Sequence, residues 1–154
     1  MTNDPTTTAA GLTAEERRTL AAVAALMIPA STEYRVPGAD DPAIQADIVT
    51  TLGRDAAAVR AALARLDALA GGRLADCAAA RQEEVASAFR AEGGVAVATL
   101  SRVILQCYYR DDRVMISLGM EPRPPFPKGH VLEQGDWSLL DPVRKRAKMW
   151  RDAP

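Results

Sequence analysis

Four prolines fall within eleven residues, Pro122, Pro124, Pro125 and Pro127 in the stretch 120–130, and they set the strongest limit on how this chain folds. Proline has no backbone N–H and a fixed φ, so this stretch forms neither a helix nor a central strand. Whatever helical pattern precedes it has to end near residue 119. The sequence beyond is not a polar linker, because Phe126, Trp137, Leu139, Leu140, Met149 and Trp150 are spread along it. Disordered tails that remain in water are depleted in such groups. A proline-stiffened arm loses little entropy on ordering, which suits it to docking on another surface. The expectation is a helical body followed by an arm that needs a partner.

Composition supports the helical body. At 154 residues the chain is long enough for one domain with its own core. Aromatics are only 5% while alanine is abundant, which favours close-packed helices over a sheet sandwich. The formal net charge of −1 gives no global attraction to nucleic acid or anionic membrane. Two cysteines, Cys77 and Cys107, define no disulfide framework or thiolate cluster. They read as ordinary buried thiols in two different helices. The longest apolar run, residues 20–28, is half of what a membrane span needs.

That run follows Arg17 and Arg18, a pairing that resembles a twin-arginine export signal. A capping box argues for a different origin. Thr13 stands at an N-cap with Glu16 three positions on, and Leu20, Val23, Ala24 and Met27 then recur at helical spacing. The first helix is therefore expected over 13–28, stopped by Pro29. Pro37-Gly38 marks a turn, and Asp41 followed by Pro42 starts a second helix whose stripe is Ile44, Ile48, Val49 and Leu52. Gly53 closes it. A third helix is expected over 55–70, with Val59, Ala62, Leu63, Leu66 and Leu69 inward, and a fourth over 79–91, with Val85 and Phe89 inward. The fifth, over 95–110, is the most apolar and so is expected at the centre, through Val97, Leu100, Val103, Ile104, Cys107 and Tyr108. A short sixth helix spans 112–118, and another is expected over 141–150. The reading is an all-α fold, a five- to six-helix bundle with an extended proline-rich C-terminal arm. Residues 1–11 form a disordered terminus, 12–119 the bundle and 120–154 the arm.

Chemical motifs are scarce. The single histidine, His130, lies in the arm without a Cys or acidic neighbour at metal-ligand spacing, so no metal site is expected. No haem-attachment motif, dinucleotide fingerprint or phosphate loop is present; the paired glycines at 71–72 and 93–94 read as helix stops. An enzymatic reading has only Asp111, Asp112 and His130 to rely on. The paired acids at 40–41 and 111–112 precede helices, where carboxylates complement the macrodipole. The basic run 144–146, with Lys148 and Arg151, allows an alternative in which a free-standing helical adaptor binds nucleic acid or another protein. Asp136, Asp141 and Asp152 in the same tail argue against the nucleic-acid version. The segment 108–113, with Tyr108, Tyr109, Arg110 and Arg113, has two readings. One is a helix end with one tyrosine buried and local ion pairs, the other a docking edge rich in the interface residues Tyr and Arg.

Several of these segments, taken in order, resemble the gluconate 2-dehydrogenase subunit 3 family, the small subunits of flavin-dependent sugar and polyol dehydrogenases. The matching parts are the helix opened by residues 12–30, the turn at 37–39, Tyr108-Tyr109 with 112–114, the Leu118-Gly119 step, and the proline-rich run 123–129. The resemblance implies a non-catalytic subunit that binds and stabilises, or chaperones, a large glucose–methanol–choline-type oxidoreductase acting on a sugar, glycoside or related alcohol. It also implies that FAD resides in that partner, with no cofactor in this chain. The interface anchors expected are Tyr109, Arg113, Pro125, Phe126, Trp137 and Trp150. Family members often begin with a twin-arginine signal. This chain instead starts almost directly at its first helix, which favours a cytoplasmic complex, or export directed by the partner.

Overall fold

The structure, a computed structural model, describes residues 11–122 and 133–151. Among them are seven α-helices and no β-strand; one isolated antiparallel bridge joins Ser31 to Val36. The chain divides into two units, one up to Pro122 and one from Arg123 onward.

In the first unit, α1 (Ala14–Met27) starts at the expected capping box. The Thr13 amide donates to Glu16 Oε2 at 2.7 Å and the Glu16 amide to Thr13 Oγ1 at 3.2 Å. The turn that follows is pinned at both ends. Ser31 and Val36 exchange backbone hydrogen bonds of 3.1 and 3.0 Å, and the Ala39 amide donates to the Ile28 carbonyl at 2.9 Å. Gly38 is needed there because a Cβ would stand 3.0 Å from the Ala30 nitrogen. Asp41 caps α2 (Pro42–Thr51) by accepting from the Ala43 amide at 2.9 Å. A 3-10 turn, Gly53–Asp55, leads directly into α3 (Ala56–Ala70), which ends at Gly71 in the left-handed conformation with φ of 75°. After a second 3-10 turn, Leu74–Asp76, come α4 (Ala79–Glu92), α5 (Gly94–Tyr109) and the short α6 (Asp112–Ser117).

The core is one aliphatic cluster. Leu20, Ile44, Ile48, Leu52, Leu63, Leu66, Leu74, Leu100 and Ile104 are each fully buried, and Phe89 and Tyr108 are its aromatic members. The expected centre needs correction. The most extensive helix contact is between α3 and α5, and α3 also packs on α1 and α4, so α3 shares the central place expected for α5 alone. Small residues explain this: Ala56 and Ala62 are buried on α3, and short side chains let neighbouring helices approach closely. Two further expectations fail. Met27 is not in the core but 36% exposed, and Cys77 lies outside any α-helix, capping the turn before α4.

In the second unit, Asp136 caps a 3-10 turn, Trp137–Leu140, with its carboxylate accepting from the Ser138 amide at 3.0 Å and hydroxyl at 2.6 Å. This turn runs into α7, which covers only Asp141–Arg144 rather than the expected 141–150. Four consecutive residues with long cationic side chains or alanine, 145–148, have no apolar stripe to hold a longer helix against a core, and a helix this short is unstable by itself.

Candidate partner-binding surface

The end of the bundle where α5 meets α6 is built by its charges. Tyr108 turns inward, and its hydroxyl donates to the Pro37 carbonyl at 3.2 Å, tying the 29–41 turn to α5. Burial pushes its phenol above the ordinary range. Tyr109, one residue on, projects outward at 53% exposure, edge-on to Tyr108 with ring centroids 5.3 Å apart. The structure matches the helix-end reading of this segment, with one tyrosine buried and local ion pairs, and it leaves Tyr109 open to solvent.

Arg113 serves the body. Its guanidinium donates to Asp111 Oδ1 and Oδ2, both at 2.9 Å, and to Asp41 Oδ1 and Oδ2 at 2.8 and 3.0 Å. Asp41 caps α2 and Asp111 caps α6, so one side chain clamps two helix starts together. The hydrogen bonds from Arg113 hold both carboxyls below the usual carboxylate range. Asp111 therefore stands as an anionic cap. Because the folded pKa values are depressed, the clamp contributes fully above about pH 4 and its contribution disappears as pH falls further. Arg113→Gln is expected to cost about 1 kcal/mol at neutral pH, discounted for a half-exposed guanidinium. Urea midpoints of parent and variant should converge as pH falls through the depressed range of the two carboxyls; a gap that does not narrow on acidification would refute the clamp.

A second charged chain runs beside it. Arg110 donates to Asp47 Oδ2 at 2.6 Å and to Thr51 Oγ1 at 3.0 Å, and that hydroxyl lies 3.5 Å from Cys107 Sγ. Burial raises the Cys107 thiol above its ordinary value, whereas Cys77 is half-buried near the surface, its Sγ bonded to the Arg73 carbonyl. Iodoacetamide is accordingly expected to label Cys77 first in the folded chain, as read by peptide mass spectrometry; equal rates would contradict this environment for Cys107.

Exposed apolar side chains cluster by sequence around these ion pairs. Ile116, Leu118 and Met120 follow Tyr109, each more than half exposed. In the second unit Trp137 is 62% exposed, Leu139 74%, Met149 81% and Trp150 71%. Among the expected anchors, the structure thus presents Tyr109, Trp137 and Trp150 to solvent and engages Arg113 within the body. Pro125 and Phe126, like His130, lie outside the described residues. One surface was missed from the sequence: a groove of about 530 Å³ between α1, α4 and α5, lined by Val23, Leu26, Met27, Phe89, Val97 and Leu100. The only signal for it was the set of apolar positions assigned to the core, of which Met27 and Val97 stop short of full burial.

No group of three or more metal-ligating side chains occurs among the described residues, and none of their helices is long and apolar enough to cross a membrane. The class of protein defined at this point is an all-α helical bundle followed by a segment with exposed aromatic and aliphatic side chains. Comparisons with family models, with curated proteins and with solved structures found no match.

Proposed function

We propose that this chain is the non-catalytic small subunit of a hetero-oligomeric flavin-dependent oxidoreductase of the glucose–methanol–choline type, and that it binds and stabilises the FAD-bearing large subunit. The reaction assigned to that large subunit is oxidation of a sugar, glycoside or related alcohol. The family resemblance of residues 12–30, 108–119 and 123–129 supplies the partner and the chemistry. The observation that carries the binding role is the water-exposed apolar surface of residues 137–150, where Trp137, Leu139, Met149 and Trp150 all stand open. Burying each aromatic against a partner contributes about 1.5–3 kcal/mol by area, part of which is offset by ordering the segment.

Co-expression with a glucose–methanol–choline-type flavoprotein encoded in the same gene neighbourhood tests this. The full chain is expected to co-purify with a yellow, flavin-containing large subunit. A chain truncated after Gly119 should retain its helical circular dichroism and lose the flavoprotein. Unchanged co-purification of the truncated chain would remove the tail from the interface, and failure of the full chain to form a complex would overturn the subunit reading.

A further inference from the structure

We infer that the surface receiving residues 133–151 is an acidic protein face with apolar recesses, an inference that rests on the subunit reading above and assigns the chemistry of the partner's side. Three observations lead there. Within the eight residues 144–151 there are five basic side chains and no acidic one. Arg144 is engaged by Asp141 at 3.4 Å, while Lys145, Arg146 and Arg151 make no ion pair among the described residues. Facing charges across an interface steer encounter and set register, so cations left without local partners call for carboxylates opposite.

The second observation is that apolar groups are interleaved with this charge. Trp150 stands between Met149 and Arg151, and Lys148 Nζ lies 5.7 Å from the Trp150 ring centroid. Trp137, Leu139 and Leu140 precede the basic run by a few residues and are exposed. Nucleic-acid phosphates would satisfy the cations but leave the leucines and Met149 without an apolar seat. The third observation is the backbone. After α7 ends at Arg144, no regular hydrogen-bonded element covers 145–151. A membrane-surface segment keeps basic and apolar residues on opposite faces of a continuous helix, and backbone groups without such pairing are costly in the acyl region. A protein face meets all three requirements, offering carboxylates, backbone partners and recesses.

The test compares the full chain with the triple variant K145E/R146E/R151E and with W137A/W150A, each titrated against the purified flavoprotein. Vesicles of equal parts phosphatidylserine and phosphatidylcholine, and a short DNA duplex, serve as the other surfaces. The charge-reversed chain is expected to bind the flavoprotein on the order of thirtyfold more weakly at low ionic strength, mostly through a slower on-rate, and salt should shrink the gap. The double tryptophan variant should lose affinity chiefly through faster dissociation at every salt concentration. Circular dichroism confirms that the bundle is intact in both. A parent complex that forms normally, with no salt dependence and no response to charge reversal, overturns the acidic face and leaves the subunit reading standing. No complex with the parent chain overturns both. Tighter binding to the vesicles or the duplex than to the flavoprotein overturns the assignment of a protein partner face.

Discussion

Leu66→Ala is expected to destabilise the bundle by about 2–5 kcal/mol, the range for emptying a fully buried leucine site. Leu66 is 0% exposed and lies on α3, the helix that packs on α1, α4 and α5. It belongs to the single buried cluster to which α1, α2, α4 and α5 also contribute side chains. For a chain of this length the corresponding fall in Tm is roughly 10 °C. Differential scanning calorimetry reads it directly. Leu69→Ala, on the same helix but only partly buried, is the control and should cost clearly less. Equal losses at the two positions would mean that α3 is not the packed centre of the bundle.

Asp67→Ala is expected to be nearly as damaging, about 2–4 kcal/mol, for a different reason. Thr19 is the buried polar residue of the body, at 0% exposure. Its hydroxyl donates to Asp67 Oδ1 at 2.9 Å, and the same oxygen accepts from the Leu74 amide at 3.0 Å. The other oxygen accepts from Arg73 at 3.0 Å. One carboxylate thus satisfies a hydroxyl of α1 and a backbone N–H after α3, and holds the turn over which Leu74 enters the core. Alanine leaves both donors buried and unpaired, and an orphaned donor costs more than a made bond contributes. Asn keeps an oxygen for Thr19 and Leu74 but turns its NH2 toward Arg73, giving up that exposed hydrogen bond along with the charge. Asp67→Asn should therefore recover more than half of the loss, and the Thr19→Val/Asp67→Ala double variant should be less destabilised than the two singles predict. Strict additivity in that cycle would show that the two side chains do not share the interaction.

These two residues mark where sequence reasoning was strong and where it ended. Leu66 was legible because helical periodicity is local: an apolar side chain recurring every three or four residues declares its face whatever the neighbours are. The same local logic located the Thr13–Glu16 capping box, the Asp41-Pro42 helix start and the buried Tyr108, all present in the structure. Asp67 was not legible. It stands 48 residues from Thr19 along the chain, and nothing near either position announces the pairing. Arg113 was singled out as an interface anchor from its type and its tyrosine neighbour. Within the body its fork closes on Asp41, 72 residues away, and on Asp111. Asp41 itself was read only as a helix cap, because a cap is a local property and a clamp between two caps is not.

The exposed apolar surface divides in the same way. Trp137 and Trp150 stood out in the sequence because large aromatic groups are unusual in a proline-rich tail, and both are open to solvent in the structure. The groove between α1, α4 and α5 was invisible, since Met27 and Val97 carry the same periodic signature as residues that reach the centre. Periodicity reports which face of a helix is apolar; how deep that face sinks depends on what the other helices bring to it.

Helix positions, their caps, the all-α class and the stop at the proline run follow from short-range physics: side-chain periodicity, backbone sterics and the hydrogen-bonding needs of helix ends. The sharing of the centre between α3 and α5, the salt-bridged clamp of α2 to α6, and the seating of Leu74 by Asp67 were settled only in three dimensions. Each depends on groups brought together from distant parts of the chain, and their energies arise from burial and pairing that no local stretch contains.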